Sequence, residues 1–289
     1  MTQISAPVAA ALEKELGLAP GTITLGRMVS ALKQLGFDKV FCSDDSVNMC
    51  IKDEAKEFLD RLDTKNNLPM LISCSPALNN FIDNFYPDLK AHLPGCHGPE
   101  QSFGALVKDW YQKKKGIDPS KIAYVSIMPC IAKKYETRRS EQGPNSAAGV
   151  SQNVDLALTV KELAPLIRIA GISFSILPES PFDSFANGSD TAGAQNANPK
   201  NPGLPDIESV LARVYEAYTD KILGAFNHKE LIEGIRESLI TIQGKTVKVL
   251  TVIDFANART VMESIRKAEC DAALVHIISC PLGCGSLDP

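Results

Sequence analysis

Four of the eight cysteines follow short apolar runs that are typical of buried strands. They are Cys74 after PMLIS, Cys130 after YVSIMP, and Cys280 and Cys284 in SCPLGC after LVHII. The carboxyl ends of parallel strands share one edge of a sheet, where α/β proteins place their binding crevices. Thiols brought to that edge from distant positions are the ligands that an iron–sulfur cluster requires.

Two other interpretations of these thiols stay open. Small buried cysteines that only fill the core would explain any one segment, but they explain all three together poorly. A zinc site is the second alternative, although zinc favours closely spaced cysteine pairs. The other four thiols are interpreted as buried structural residues: Cys42, Cys50, Cys96 and Cys270. Among the four histidines, only His97, beside Cys96, indicates a metal ligand.

The order of predicted elements favours an α/β protein. Strand-like runs are TQIS near the start and residues 38–43, 69–75, 121–129, 173–179, 246–254 and 271–279. Helix-like stretches between them are residues 25–36, 52–63, 102–116, 207–222 and 257–269. This alternation predicts a largely parallel sheet flanked by helices. Residues 179–206, rich in Gly, Pro, Asn and Ser, are expected to form a linker between lobes or a long functional loop.

Composition and charge exclude several classes of protein. The 30 basic and 34 acidic residues give a net charge of −4, so nucleic acid is not the expected partner. No apolar run reaches the length of a membrane span, and the acidic N-terminal segment does not resemble a signal peptide. We therefore expect a cytoplasmic protein, in which reduced thiols serve as ligands or catalytic groups rather than disulfides.

Three segments resemble the cysteine signatures of the catalytic domain of iron-iron (FeFe) hydrogenases. They are LISCSPALNNFIDNFYPDL, SIMPCIAKKYE and IISCPLGC. The resemblance implies two α/β lobes, each a mainly parallel sheet flanked by helices, with an H-cluster in the cleft between them. That cofactor is a 4Fe–4S cluster joined to a 2Fe subcluster that carries CO, cyanide and a dithiolate bridge. It also implies one H-cluster domain over residues 1–289, without an accessory iron–sulfur domain.

The resemblance assigns residues to the cofactor. Cys130, Cys280 and Cys284 match cube ligands, and Cys284 matches the residue that bridges the cube to the 2Fe unit. Lys133 matches a lysine whose ammonium binds a cyanide ligand, an interaction of the charge-assisted type. Four more residues match those that pack around the 2Fe unit: Ala6, Pro7, Met128 and Pro129.

A proton route is implied as well. Cys74 matches the thiol that passes protons to the dithiolate bridge. Glu54 and Glu57 lie three residues apart on one predicted helix face and match the relay glutamates, although such residues also occur on ordinary solvated faces. Arg61 matches an arginine near the exit of the route.

The chain departs from the family pattern near the cofactor. Ser75 stands where a cysteine would ligate the cube, so the fourth position is held by Ser75, taken over by Cys74, or left open. Pro94 replaces a relay serine and cannot offer a hydroxyl. Gly98 and Glu100 replace a serine and a glutamine that line the 2Fe pocket.

Two functions are consistent with this pattern. The first is reversible interconversion of H₂ with protons and electrons by a minimal hydrogenase. The second is a non-catalytic relative that retains an iron–sulfur cluster for sensing or for cluster assembly. The expected partners are 2Fe-maturation proteins and a soluble electron carrier such as ferredoxin or a redox subunit, for which the lysines of QKKKG (112–116) are a candidate docking patch.

Overall fold

The computed structural model describes residues 1–4, 6–73, 75–96, 98–138, 152–184, 210–212, 214–215, 228–242 and 245–279. The chain divides into two compact units. Unit 1 comprises residues 1–48, 98–203 and 282–289, and unit 2 comprises residues 49–97 and 204–281.

Unit 1 is built on a four-stranded, fully parallel sheet in the order β2-β1-β4-β5. Its strands are β1 (Thr2–Ile4), β2 (Val40–Cys42), β4 (Val125–Met128) and β5 (Leu156–Thr159). Met128 pairs with Thr159, so β4 and β5 end level with each other. The residues that follow β4 therefore emerge at the carboxyl edge of the sheet, as the cysteine spacing predicts.

Several helices belong to unit 1 together with this sheet. They are α1 (Ala6–Leu16), α2 (Leu25–Gln34), α5 (Pro99–Lys115), α6 (Lys133–Glu136) and α7 (Val160–Ile169). Buried side chains of α1, α2 and α7 form one core with Ile4, Val40 and Ile127 of the strands. Helix α7 begins with a capping box in which the hydroxyl of Thr159 accepts from the Glu162 amide, and the Glu162 carboxylate accepts from the Thr159 amide.

Unit 2 contains a five-stranded sheet in the order β3-β9-β8-β7-β6. The strands are β3 (Met70–Ile72), β6 (His228–Ile232), β7 (Ile235–Ile242), β8 (Lys245–Ile253) and β9 (Leu274–Ile278). The pairs β3–β9 and β9–β8 are parallel, whereas β8–β7 and β7–β6 are antiparallel. This sheet is mixed rather than mainly parallel, because β6 and β7 form a hairpin that needs no helical crossover.

Three helices belong wholly or mostly to unit 2: α3 (Ser43–Thr64), α4 (Ala77–Phe85) and α8 (Phe255–Arg266). Buried residues of α4 and α8 form a second core with Leu71, Val252 and Val275 of the strands. Helix α8 begins at Asp254, whose carboxylate accepts from the amide of Asn257.

The predicted α/β fold is confirmed, with specific corrections. The predicted strand at 173–179 is wrong: residues 174–176 form a 3₁₀ turn. Phe174 and Leu177 are its buried apolar residues, and their spacing of three suits a turn rather than a strand. The predicted helix at 207–222 is described only at 210–212 and 214–215, where it is helical, and the loop at 179–206 lies outside the described residues from 185 onwards. In the described part of the chain, no helix has the length and apolarity to cross a membrane.

Candidate functional site

Cys130 lies two residues beyond the end of β4. Met128 ends the strand as a buried residue, Pro129 is half-buried, and Cys130 is 8% exposed. The carbonyl of Cys130 accepts from the amide of Lys133, the first residue of the short helix α6. The chain therefore turns directly from the thiol to the lysine, and both side chains are buried in unit 1.

The ammonium of Lys133 holds two buried carboxylates. Its Nζ lies 2.6 Å from Oε2 of Glu100 and 2.9 Å from Oε2 of Glu136, and all three side chains are at most 6% exposed. Burial alone would lower the pKa of Lys133, but the charges of Glu100 and Glu136 outweigh it and hold the pKa well above its ordinary value. With both carboxylates ionised, these three residues carry a net charge of −1.

The resemblance implies a glutamine at the position of Glu100 and a serine at that of Gly98, and both positions adjoin this cluster. Glu100 supplies one of the two carboxylates. Gly98 lies against Glu136, and a Cβ at position 98 would collide with Oε1 of that carboxylate. The missing side chain thus leaves room for Glu136 to lie beside Lys133. Glu100 and Glu136 together surround the ammonium with carboxylates.

Ser75 lies in unit 2, in the turn between β3 and α4. It is 6% exposed, and its hydroxyl accepts from the amide of Ala77 at 3.3 Å. Its own amide donates to the hydroxyl of Ser73, which in turn donates to the carbonyl of Ile277 on β9. The hydroxyl at the predicted ligand position is therefore bonded to the first residue of α4.

One face of α3 carries the predicted relay residues. Arg61 donates to a carboxylate oxygen of Glu57, and the other oxygen of Glu57 accepts from the amide of Gly95 at 2.9 Å. The guanidinium of Arg61 also donates to the carbonyls of His92 and Leu93 at 3.0 and 2.7 Å. These bonds tie the segment around Pro94 to α3.

Glu54 is buried one helical turn before Glu57 on the same helix. Desolvation raises the pKa of Glu54 to about 7, a hydrogen bond with Cys50 opposes the rise, and the charge of Glu57 adds to it. Its Oε2 has no hydrogen-bond partner among the described residues. A carboxyl group with this pKa can exchange a proton near neutral pH.

Sequence reasoning did not assign a site role to Cys50 or Cys96. In the structure their sulfur atoms and a carboxylate oxygen of Glu54 all lie within 4.8 Å of one another. The spacing of Cys50 and Glu54, one helical turn apart, was the signal available in the sequence. The proximity of Cys96 to these two residues is visible only in the folded structure.

The structure brings the predicted residues together in two groups. Met128, Pro129, Cys130 and Lys133 adjoin in unit 1, and Glu54, Glu57 and Arg61 share α3 in unit 2. Pro7 is half-buried near the start of α1. Three predicted residues lie outside the described residues: Cys74, Cys280 and Cys284. For Ala6, only the backbone is described.

The described residues fit the implied cofactor in their donor chemistry. Cys130 offers a buried thiol at a strand end, which suits an iron ligand. Lys133 has three N–H donors and two carboxylate partners, so one donor remains for an anionic ligand.

Comparisons with known proteins identify the family of the chain. The family described as "Iron only hydrogenase large subunit, C-terminal domain" matches residues 1–286. The chain is 34% identical to the NADP-reducing hydrogenase subunit HndD of Solidesulfovibrio fructosivorans over 98% of its length, and it spans 48% of that protein. It is 25% identical to the cytosolic iron-sulfur assembly component 3 of Bos taurus over 91% of its length, and it spans 56% of that protein. The chain thus spans about half the length of these relatives.

A solved structure shows the same fold. The apo FeFe hydrogenase HydA1 from Chlamydomonas reinhardtii matches 99% of this chain and 78% of its own, with a TM-score of 0.83 and 27% identity. On the family match over nearly all of its residues and on this shared fold, the chain belongs to the iron-only (FeFe) hydrogenase large-subunit family.

Proposed function

We propose that this chain is the catalytic domain of an FeFe hydrogenase, which interconverts H₂ with protons and electrons. The observation that carries the proposal is the buried ammonium of Lys133, three residues after the buried thiol of Cys130. A core lysine is costly to retain for stability alone, since an apolar residue of similar size would avoid the desolvation of its charge. Binding of an anionic diatomic ligand of the cofactor, close to Cys130, would explain why the charge of Lys133 is retained in the core.

Each residue has a role in this proposal. Cys130, Cys280 and Cys284 bind the 4Fe–4S cluster, and Cys284 also joins it to the 2Fe subcluster. When bound, this cofactor supplies the redox chemistry of H₂. The remaining donor of Lys133 orients one cyanide ligand. Four residues pack around the 2Fe unit and exclude water: Ala6, Pro7, Met128 and Pro129.

Protons move along residues of unit 2 in this proposal. The thiol of Cys74 exchanges protons at the cofactor, and Glu54 passes them on, because its pKa of about 7 permits both protonation states near neutral pH. Glu57 lies nearer the surface on the same helix, with its side chain 28% exposed and held by Arg61. The side chain of Pro94 offers no hydroxyl, so in this proposal water carries the proton between Glu54 and Glu57.

A second candidate is a non-catalytic iron–sulfur protein for sensing or cluster assembly. Two observations favour it: Ser75 stands at a ligand position with its hydroxyl engaged by α4, and two carboxylates already neutralise Lys133. The likeness to the cytosolic iron-sulfur assembly component supports it as well. In this candidate the cube is bound, but the 2Fe unit is not.

The proposed partners are a soluble electron carrier such as ferredoxin or a redox subunit, and the proteins that build the 2Fe unit. Lys113, Lys114 and Lys115 are exposed at the end of α5, where an acidic carrier could approach. Lys113 also pairs with Asp109 at 2.8 Å, and Lys115 lies over the ring of Trp110. We propose a cytoplasmic location.

The test is H₂ evolution from reduced methyl viologen. Protein purified anaerobically is loaded with the cube, treated with a 2Fe precursor, and compared with a Cys284→Ala variant. Activity well above that variant, together with infrared bands of CO and cyanide, supports the hydrogenase. Full cube iron without these bands and without activity overturns it in favour of the second candidate.

A further inference from the structure

We propose that Cys50, Glu54 and Cys96 form a binding site for a divalent cation of the zinc type. One ligand atom of each residue lies within 4.8 Å of the other two. All three residues belong to unit 2, and Cys50 and Glu54 are 2% and 5% exposed. Cys96 is partly exposed, which gives a cation access to the site.

Helix α3 positions two of the three ligands. Cys50 and Glu54 are one turn apart, so their side chains lie on the same helix face. A buried stretch of helix is a rigid support, and a metal site needs ligands that are held in place.

The third ligand is fixed by the bonds that tie the segment at 92–96 to α3. Arg61 donates to the carbonyls of His92 and Leu93, and Glu57 accepts from the amide of Gly95. Cys96 is the next residue in the chain, so these bonds hold its thiol beside Glu54.

The donor set selects the cation. Two thiolates and one carboxylate are ligands that Zn²⁺ accepts, whereas Mg²⁺ and Ca²⁺ prefer oxygen alone. Tetrahedral Zn–S bonds of about 2.3 Å place two sulfurs roughly 3.8 Å apart, so a movement of no more than about 1 Å would close the site. Three protein ligands leave a fourth position for water or another small ligand.

A second observation concerns the carboxylate that belongs to this cluster. Oε2 of Glu54 is buried and has no hydrogen-bond partner among the described residues. A buried polar atom without a partner destabilises the folded state by about 1–3 kcal/mol, more if it is charged. A bound cation would remove that cost, while the two thiols would release their protons on binding.

The site has a consequence that rests on the proposed function. If Glu54 passes protons, a cation bound to its carboxylate excludes the proton and stops the relay. Zinc binding itself does not depend on that function, so the two can be tested separately.

The experiment measures zinc and iron in the same anaerobic, cube-loaded protein. Wild-type protein, Cys50→Ser, Cys96→Ser and Glu54→Gln are equilibrated with ZnCl₂ and a chromophoric chelator, without thiol reductants. Cys270→Ser is the matched control, because it removes a thiol that is not part of the cluster. Iron content reports whether each variant folds and keeps its cube.

We expect wild-type protein and Cys270→Ser to bind one more zinc per chain than Cys50→Ser and Cys96→Ser, at equal iron. Glu54→Gln, which keeps the shape of the side chain, should weaken zinc binding on the order of tenfold or more. Equal zinc content in all five proteins overturns the proposal. So does a loss of zinc in the variants that is always matched by an equal loss of iron. If the cube fails to load, the difference between thiol variants and control still reports this site.

Discussion

Two buried charge clusters, one in each unit, differ in how completely they are paired. In unit 1, Lys133 contacts two carboxylates, and every charge has an opposite charge within 2.9 Å. In unit 2, Glu54 is as deeply buried, yet one of its oxygens lacks a partner among the described residues. The pKa of Lys133 is raised by its carboxylates, whereas the pKa of Glu54 is raised by desolvation.

In the first cluster the buried charges compensate one another, whereas in the second a buried carboxylate oxygen lacks a partner among the described residues. The paired cluster resists change, because removing one partner leaves a buried charge uncompensated. The incomplete cluster is the place where a proton or a cation lowers the free energy. The resemblance draws attention to Lys133, but in the structure this lysine already pairs with two carboxylates. The carboxylate that has an oxygen without a partner among the described residues is Glu54, which lies near Cys50 and Cys96.

Breaking the paired cluster should have the largest effect. Lys133→Met leaves Glu100 and Glu136 buried together without a cation, so we expect the free energy of unfolding to fall by about 3–5 kcal/mol. Urea denaturation of the cluster-free protein measures it. Lys114→Met, a change at an exposed lysine, is the control and should alter stability little. A fall of similar size in both variants would mean that burial of the charge is not the cause.

Breaking the incomplete cluster should raise the free energy of unfolding at high pH rather than lower it. The pKa of Glu54 is raised from 4.5 to about 7, so its contribution to stability is fully present below pH 4.5 and is lost as pH rises through 7. Glu54→Gln has no proton to lose, and above pH 7 it should be more stable than wild type by up to about 3 kcal/mol. At pH 4.5 the two proteins should be nearly equal.

The measurement is the urea midpoint at pH 5 and pH 8, with EDTA present so that no cation compensates the carboxylate. Asp60→Asn changes an exposed acidic residue of α3 whose charge does not act on Glu54, and it serves as the control. A Glu54→Gln variant that is less stable than wild type at pH 8 would contradict a desolvated, partnerless carboxylate.

A smaller change sharpens the comparison by removing only one charge. Glu100→Gln leaves Glu136 to pair with Lys133, and the cluster becomes neutral. If the proposed function is correct, the ammonium should then bind an anionic ligand more strongly, by about 1.5–3 kcal/mol, the range of a charged hydrogen bond. The time for which the protein retains the 2Fe unit, measured by its CO and cyanide infrared bands, should lengthen by roughly ten- to a hundredfold. Unchanged retention would show that Glu100 does not compete for the lysine.

Most of the fold could be predicted because its signals are local. Apolar runs marked β2, β3, β4, β8 and β9, and helical periodicity marked α2, α5 and α8. Strand β5 was missed because it is short and its first residue, Leu156, is 49% exposed. The hairpin β6–β7 was missed because β6 is exposed along its whole length, so it shows no buried apolar pattern.

The site could be predicted only in part, because its decisive contacts are not local. A motif singled out Lys133, but its contact with Glu100 joins residues 33 positions apart. The proximity of Cys96 to Cys50 likewise depends on how Arg61 and Glu57 fold the segment at 92–96 against α3. Propensity and spacing carry no information about such contacts.

The smallest effect is expected for a partly exposed ion pair whose lysine, Lys134, directly follows Lys133 in the sequence. Lys134 pairs with Glu162, whose side chain is 45% exposed. Hydrogen bonds, first from Lys134 and then from Thr159, lower the pKa of Glu162 from 4.5 to about 2. Its contribution to stability is therefore present above pH 4.5 and is lost as pH falls through 2.

Glu162→Gln should lower the free energy of unfolding at pH 7 by less than about 1 kcal/mol, because solvent screens the pair. The difference from wild type should shrink in 1 M salt and vanish near pH 2, as urea midpoints under these conditions would show. The amide oxygen of Gln can still accept from the Thr159 amide, so a loss that persists at high salt measures only how much better the carboxylate serves as that acceptor. If this variant cost as much as Lys133→Met, burial could not be what separates the paired cluster of unit 1 from an ordinary surface pair.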